Sequence, residues 1–195
     1  MINTFSNFRE SLAPFNELDL AYLAGMIDAD GFITIQRTTK ANTGKCEHPS
    51  VYHALKVGIG GTERQPHDLA SSIFGGTVSR YTPKNEAHKP NFQWCSSGPT
   101  AVIVIRAIYP YLRIKGRQVQ VGLSFQESLE RHIRLQRSAQ KPPDRITNEM
   151  REERDSFWRQ MLALNNPRNL RVGKKAAGRL LDCRTWDEMP EAVHA

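Results

Sequence analysis

The stretch Leu23-Ala24-Gly25-Met26-Ile27-Asp28-Ala29-Asp30-Gly31 decides how this chain reads. It lies in a helix: between Glu17 and Asp28 the apolar residues Leu20, Leu23, Ala24 and Ile27 recur at helical spacing, and Pro14 with Asn16 supplies a start signal. Ala24 and Gly25 are small residues inside that helix, where glycine costs about 1 kcal/mol relative to alanine, so a second helix packed very closely is expected against them. Asp28 and Asp30 fall at the C-terminal end, where the helix dipole is negative, and an acidic pair there calls for a bound cation or another compensating charge. An isolated Asp-x-Asp-Gly is most often a plain helix terminus. The whole stretch, not its last residues, therefore carries the argument.

Outward from Gly31 the period changes to two. Gly31 to Arg37 alternates Ile33 and Ile35 with Thr34 and Gln36, which predicts a half-buried strand. Thr38 to Pro49 reads as a long hairpin loop, and Tyr52 to Ile59 as a second strand with His53, Leu55, Val57 and Ile59 on one face, paired antiparallel with the first. A helix over Pro66 to Phe74, with Leu69 and Ile73 inward, is stopped by Gly75-Gly76. Strands at Thr77 to Tyr81 and Asn91 to Ser96 come next, then a helix from Pro99 to about Tyr109. Arg117 to Arg137, with Val121, Phe125, Leu129 and Ile133 at steps of four, predicts an amphipathic helix. A last helix over Thr147 to Leu164 begins with an Arg/Glu-rich turn that reads as a solvated face. No internal repeat appears.

The stretch Leu23 to Gly31 resembles the signature of the LAGLIDADG homing endonucleases, with Met26 in place of leucine. The order of elements also resembles that family's core, and the resemblance spans roughly residues 18 to 135. It implies an α+β fold with an αββαββα core, a curved antiparallel DNA-binding sheet and additional C-terminal helices. The domain would cover residues 17–164, between an N-terminal arm (1–16) and a basic tail (165–195).

By the same resemblance, the last acidic residue of the motif, Asp30, reaches the scissile phosphate through a divalent metal, with the backbone carbonyl of Ala29 as a further ligand. Magnesium, or another divalent cation such as manganese, is the implied cofactor; it relieves repulsion between neighbouring carboxylates, polarises phosphate oxygens and activates water. Pro110-Tyr111-Leu112-Arg113-Ile114-Lys115-Gly116-Arg117-Gln118 is similar to the segment that opens the late helix in single-motif members, and Lys115 matches the family's active-site lysine. Where members place a solvent-ordering glutamine at the end of the second strand, this chain has Gly60 or Gly61, which offer no side-chain hydrogen bond. Arg64 and Gln65 are the nearby side chains able to take part of that role.

One motif supplies half of an active-site pair, so the resemblance implies a homodimer, with Leu23, Ala24 and Ile27 at its interface, acting on a nearly palindromic double-stranded DNA site. The sheet face opposite Ile33 and Leu55 would read the major groove. Thr34, Gln36, Thr38 and Lys40 on the first strand, Tyr52, Ala54 and Lys56 on the second, and Ser79, Tyr81, Asn91 and Gln93 on the later pair are its expected contacts. The function implied is site-specific double-strand cleavage. Gly61 keeps a second reading open: a cleavage-impaired intron RNA maturase or DNA-binding protein on the same fold.

Composition agrees with nucleic-acid work and removes other classes. The 195 residues carry 27 Lys and Arg against 20 Asp and Glu, a net charge of +7, which attracts polyanions. Arg168, Arg171, Lys174, Lys175 and Arg179 form a basic run, read equally well as a phosphate contact or a plain tail. No apolar run approaches a membrane span and no signal pattern opens the chain, so an intracellular place is expected, an organellar matrix (chloroplast or mitochondrion) or a bacterial or archaeal cytoplasm. Three widely spaced cysteines, Cys46, Cys95 and Cys183, argue for a reducing compartment. Cys46 and His48 lack a second ligand pair for zinc, no nucleophile elbow is present, and the histidines read as ordinary surface or strand positions.

Overall fold

The computed structural model describes residues 15–40, 50–83, 89–138 and 146–166. Cys46, His48, Cys183, most of the N-terminal arm, and the basic run from Arg168 to Arg179 lie outside the described residues. The elements follow in the order α1 (Glu17–Ala29), β1 (Gly31–Lys40), β2 (Ser50–Gly61), α2 (Gln65–Phe74), β3 (Thr77–Tyr81), β4 (Asn91–Ser97), α3 (Pro99–Ile108), a 3₁₀ turn (Tyr109–Tyr111), α4 (Gly116–Ser138) and α5 (Asn148–Asn165). The fold is α+β, with αββαββα (α1 to α3) followed by α4 and α5.

All four strands join one antiparallel sheet in the order β1-β2-β4-β3. The pairing puts Ile33 opposite Val57 and Ile35 opposite Leu55, so the apolar members of both strands share one face. Helices cover that face. Leu20, Leu23, Ala24 and Ile27 of α1, Val102, Val104, Ile105 and Ile108 of α3, and Val119 and Phe125 of α4 close the core over it. The first strand runs three residues beyond its predicted end because Thr38, Thr39 and Lys40 continue the ladder with Tyr52, Val51 and Ser50.

Local chemistry explains the boundaries. Asn16 caps α1 by accepting the Leu18 N–H at 3.0 Å, and Thr147 caps α5 by accepting the Met150 N–H at 3.3 Å. Gly75 and Gly76, at φ 70° and 92°, turn the chain sharply after α2, and the freed Gly75 carbonyl accepts the Trp94 Nε1–H at 2.8 Å. Gly31 is required by proximity. A Cβ there would lie 2.6 Å from the Ile27 Cα and 2.7 Å from the Gly58 carbonyl, so only glycine lets α1 pass this close to β2 before turning into β1.

Three sequence expectations are corrected. The early turn of α5 is not simply a solvated face: Glu153, Arg154 and Asp155 are half-buried, and the helix packs on β1 and α4. Nor are all the histidines surface or strand positions, since His67 and His132 are buried in helices; His53 is a strand residue on the apolar face, as expected, with its side chain 1 % exposed. Periodicity of apolar residues cannot reveal burial that is carried by ion pairs. Ile133, expected inward, is 44 % exposed, because it lies near the end of α4, where the helix runs past the core. Among the described residues no helix is long and apolar enough to cross a membrane.

Candidate active site and nucleic-acid interface

The C-terminal end of α1 meets the N-terminal end of α4, and each caps the other. Asp28 Oδ2 accepts the backbone N–H groups of Arg113 at 2.6 Å and Ile114 at 3.1 Å, and Oδ1 accepts that of Lys115 at 2.9 Å. These donors precede the first turn of α4, whose ladder begins with Val119 N–H donating to the Lys115 carbonyl. In return Lys115 Nζ donates to the carbonyls of Ile27 and Asp28, both at 2.6 Å, and so places a positive charge on the negative end of α1. Burial lowers the Lys115 pKa, and attraction to Asp28 and Asp30 opposes that shift without overcoming it.

The two carboxylates of the motif thereby part company. Asp28 is spent on backbone donors, whereas Asp30, the C-cap residue of α1, is exposed, and its carboxylate accepts no hydrogen bond among the described residues. Ala29 is exposed beside it, and its carbonyl is not among the acceptors of Lys115. Asp30, Ala29 and Lys115 therefore come together at one helix end, as the sequence predicts.

The sheet face turned away from the helices carries the residues expected there. Thr34 pairs with Lys56, Gln36 with Ala54, Thr38 with Tyr52, Ser79 with Gln93 and Tyr81 with Asn91, while the side chain of Lys40 lies outside what the structure describes. Gly60 pairs with Gln93, which joins the two halves of this face across the β2–β4 ladder. Gly58 belongs to it as the strand alternation predicts, and Phe32, Cys95, Ser97 and Thr77 belong to it by the same register but were not anticipated. Strand alternation alone contained that signal for Phe32.

Behind this face α5 holds the β1–β2 hairpin. Asp155 Oδ1 accepts Arg37 Nε at 3.1 Å and His53 Nε2 at 2.8 Å, and Arg37 and His53 are themselves cross-strand partners. Arg37 also lies over the Trp158 ring at 5.5 Å. Burial lowers the His53 pKa and outweighs the pull of Asp155, so a neutral imidazole donates to the carboxylate. Burial by itself would raise the Asp155 pKa, but hydrogen bonds from Arg37 and His53 bring it below the ordinary carboxylate value. A second cluster on α5 joins Glu153 to Arg131 and to His132.

The proposed interface residues Leu23, Ala24 and Ile27 require correction. They are 2 %, 0 % and 1 % exposed inside the chain's own core, so they cannot meet a second molecule. Helical periodicity selected the stripe that faces the sheet. The opposite stripe of α1 carries Leu18 at 76 % exposure and Tyr22 at 48 %, with Ala21, Gly25 and Ala29 between and beyond them. A Cβ on Gly25 would meet nothing within 4 Å.

Gly61 extends β2 past the pairing of Gly31 with Ile59, alongside the turn made by Asp30. Its N–H donates to Asn91 Oδ1 at 3.1 Å, and a Cβ there would touch only the His67 ring, at 3.6 Å. His67 is buried with Nδ1 on the Glu63 carbonyl and Nε2 without a partner. Arg64 is paired with Asp68 one turn along, and Gln65 is exposed at the start of α2. Among the described residues neither Arg64 nor Gln65 is shown taking the place of the side chain that Gly61 lacks.

Comparison with solved structures decides the architecture. The homing endonuclease I-CvuI, in complex with DNA in the presence of Mg, superposes with a TM-score of 0.55 at 20 % identity, over 85 % of this chain and 87 % of that one. The chain has the LAGLIDADG homing-endonuclease fold. The homing endonuclease I-TnaI matches over 78 % of this chain and 93 % of its own, with a TM-score of 0.52 at 15 % identity. The LAGLIDADG homing endonuclease I-GzeII, solved with its DNA target, matches over 78 % of this chain and 48 % of its own, with a TM-score of 0.50 at 14 % identity. No protein-family model and no curated protein matches the chain. Within this LAGLIDADG fold, α1 is the signature helix, and the four-stranded sheet lies directly after it.

Proposed function

We propose that this protein is a site-specific DNA endonuclease that acts as a homodimer and hydrolyses phosphodiester bonds with the help of a divalent cation. One observation carries the reading: an exposed carboxylate, Asp30, that no donor among the described residues satisfies lies near a lysine and leads directly into a largely polar sheet face. The solved neighbours in DNA complexes support double-stranded DNA as the partner.

The donor set suits a hard cation, which prefers carboxylate and carbonyl oxygens. Asp30, with the Ala29 carbonyl, would hold it, and it would supply Lewis-acid polarisation of a phosphate oxygen and a more acidic bound water. One such carboxylate per chain leaves the set incomplete, which is why a second copy is proposed. The exposed stripe Leu18, Ala21, Tyr22 and Gly25 would pack against its symmetry mate and set both Asp30 residues near one axis. Asp28, by fixing the 113–115 backbone, holds Lys115 beside Asp30. The Lys115 ammonium would stabilise negative charge that develops on the phosphate. Lys40, Lys56, Gln36, Asn91 and Gln93 would contact phosphates and base edges along the groove.

Gly61 favours a second reading, specific binding with impaired cleavage, as a maturase or DNA-binding protein would show. The experiment is selection of bound duplexes from a randomised library, followed by a cleavage assay with and without Mg²⁺ for wild type and Asp30→Asn. Mg²⁺-dependent double-strand cleavage by wild type alone supports the endonuclease. Selective binding by both proteins with no cleavage by either overturns it in favour of the second reading.

A further inference from the structure

On a sheet face built mostly from polar and small side chains, Phe32 is a large apolar one. It follows Asp30 by two residues and belongs neither to the core nor to the partly buried residues that pack against it. Its seat is fixed by Gly58, its cross-strand partner. A Cβ on Gly58 would lie 2.7 Å from Phe32 Cζ, 2.9 Å from Cε1 and 2.5 Å from the Trp94 carbonyl, so the ring lies directly on the strand backbone. Cys95, half-buried, is the next residue in the same row, through the Gly58–Cys95 pair.

The rows on either side differ. Thr34, Lys56 and Ser97 flank this row on one side, and Gly60, Gln93 and Ser79 on the other. Phe32 and Cys95 therefore make a narrow apolar strip between hydrogen-bonding rows, close to the Asp30 helix end. Covering a strand glycine with an aromatic ring also steadies a sheet. That role alone needs neither an outward-facing ring at this row nor an apolar neighbour.

A DNA duplex presents one apolar group in its major groove, the C5-methyl of thymine. We infer that Phe32, seated on Gly58 beside Cys95, is a specificity-determining contact that selects a thymine methyl in each half-site, next to the phosphates that Asp30 addresses. The inference rests on the proposed DNA-reading role of the sheet. Lys56 in the adjacent row and the net charge of +7 supply the charge complementarity that brings a duplex to this face.

The test uses the full chain and duplexes selected from a randomised library. Each thymine of the selected site is replaced in turn by deoxyuridine, which removes only the methyl. For wild type, one symmetry-related pair of thymines is expected to lose affinity about fourfold on replacement, the size set by returning one methyl contact to water. Phe32→Ser is expected to abolish that difference at those positions alone while leaving preferences elsewhere, with melting curves checking the fold. Should Phe32→Ser not fold, Phe32→Leu, with less apolar surface, is expected to shrink the same difference to about half its logarithm. Wild type insensitive to deoxyuridine everywhere, or a sensitivity that survives in the Phe32 variants unchanged, overturns the inference while leaving the DNA reading intact. A library from which wild type selects nothing overturns the DNA reading and this inference with it.

Discussion

Lys115 and Asp28 exchange caps: the Asp28 carboxylate closes the N-terminus of α4, and the Lys115 ammonium closes the C-terminus of α1 at 2.6 Å from two carbonyls. Two helix ends of opposite dipole are joined by two side chains of opposite charge, and each side chain serves the helix it does not belong to. Removing Lys115 leaves two carbonyls at the end of α1 without this partner, and removing Asp28 leaves three N–H groups of the segment that leads into α4 without theirs. Asp28→Asn keeps one acceptor oxygen for three donors and is expected to cost about 1.5–3 kcal/mol, the range for hydrogen bonds to a charged group. Lys115→Met is expected to cost a comparable amount. Urea melts of the two single variants and the double variant should show a coupling of about 0.5–3 kcal/mol, because both act on one junction. Strict additivity would refute the exchange.

Asp30 should behave in the opposite way. Its carboxylate has no hydrogen-bond partner among the described residues and stands at the negative end of a helix dipole, so Asp30→Asn is expected to leave the melting temperature unchanged or slightly raised. Cleavage should disappear. A variant that unfolds would show Asp30 to be structural, and one that still cleaves would remove it from the chemistry.

Acid should loosen α5 from the sheet. His53 has a pKa lowered from 6.5, so the unfolded chain binds its proton first and stability falls as pH drops below about 6.5. Asp155 has a pKa lowered from 3.8, so its share of stability is present above that value and fades as pH falls through the lower, folded-state value. Both groups act in the same direction, and stability should rise from acid to about pH 7 and then level. His53→Gln is expected to flatten the upper part of this curve, as read by chemical denaturation at several pH values. A wild-type profile independent of pH between 5 and 7, on the order of one unit either side of the ordinary histidine value, would count against a buried neutral His53.

Gly25 separates folding from association. Nothing in the chain lies within 4 Å of a Cβ at that position, so Gly25→Ala is expected to stabilise the protomer by about 1 kcal/mol, the helix-propensity gain. Gly25→Leu should fold equally well yet elute as a monomer in gel filtration where wild type elutes as a dimer. A Gly25→Leu protein that remains dimeric would exclude this stripe of α1 from the interface.

Sequence alone was sufficient for the secondary structure and for the sides of the sheet. A strand alternates strictly, so Ile33, Ile35, Leu55 and Val57 marked the side turned to the helices and Thr34, Gln36, Lys56 and Gln93 fell on the other, while the register that pairs Ile33 with Val57 came from the tertiary structure. Asp30 and Lys115 were legible only through a motif, because nothing in local spacing brings residues 30 and 115 together. The α1 interface was misread for a physical reason: a helix with two apolar stripes gives one periodic signal, and the sequence does not say which stripe the sheet will take.

Tertiary structure decided the rest. It gave Asp28 a capping role and left Asp30 to the solvent, a division invisible in Asp28-Ala29-Asp30, where the two carboxylates look alike. It joined His53 to Asp155 behind the hairpin, side chains over a hundred residues apart, the second on a helix turn whose polarity had suggested exposure. Local sequence sets backbone preference and alternation, because these depend on neighbours a few residues away. Which charges meet depends on the docking of α4 and α5, and that is settled only when the core has closed.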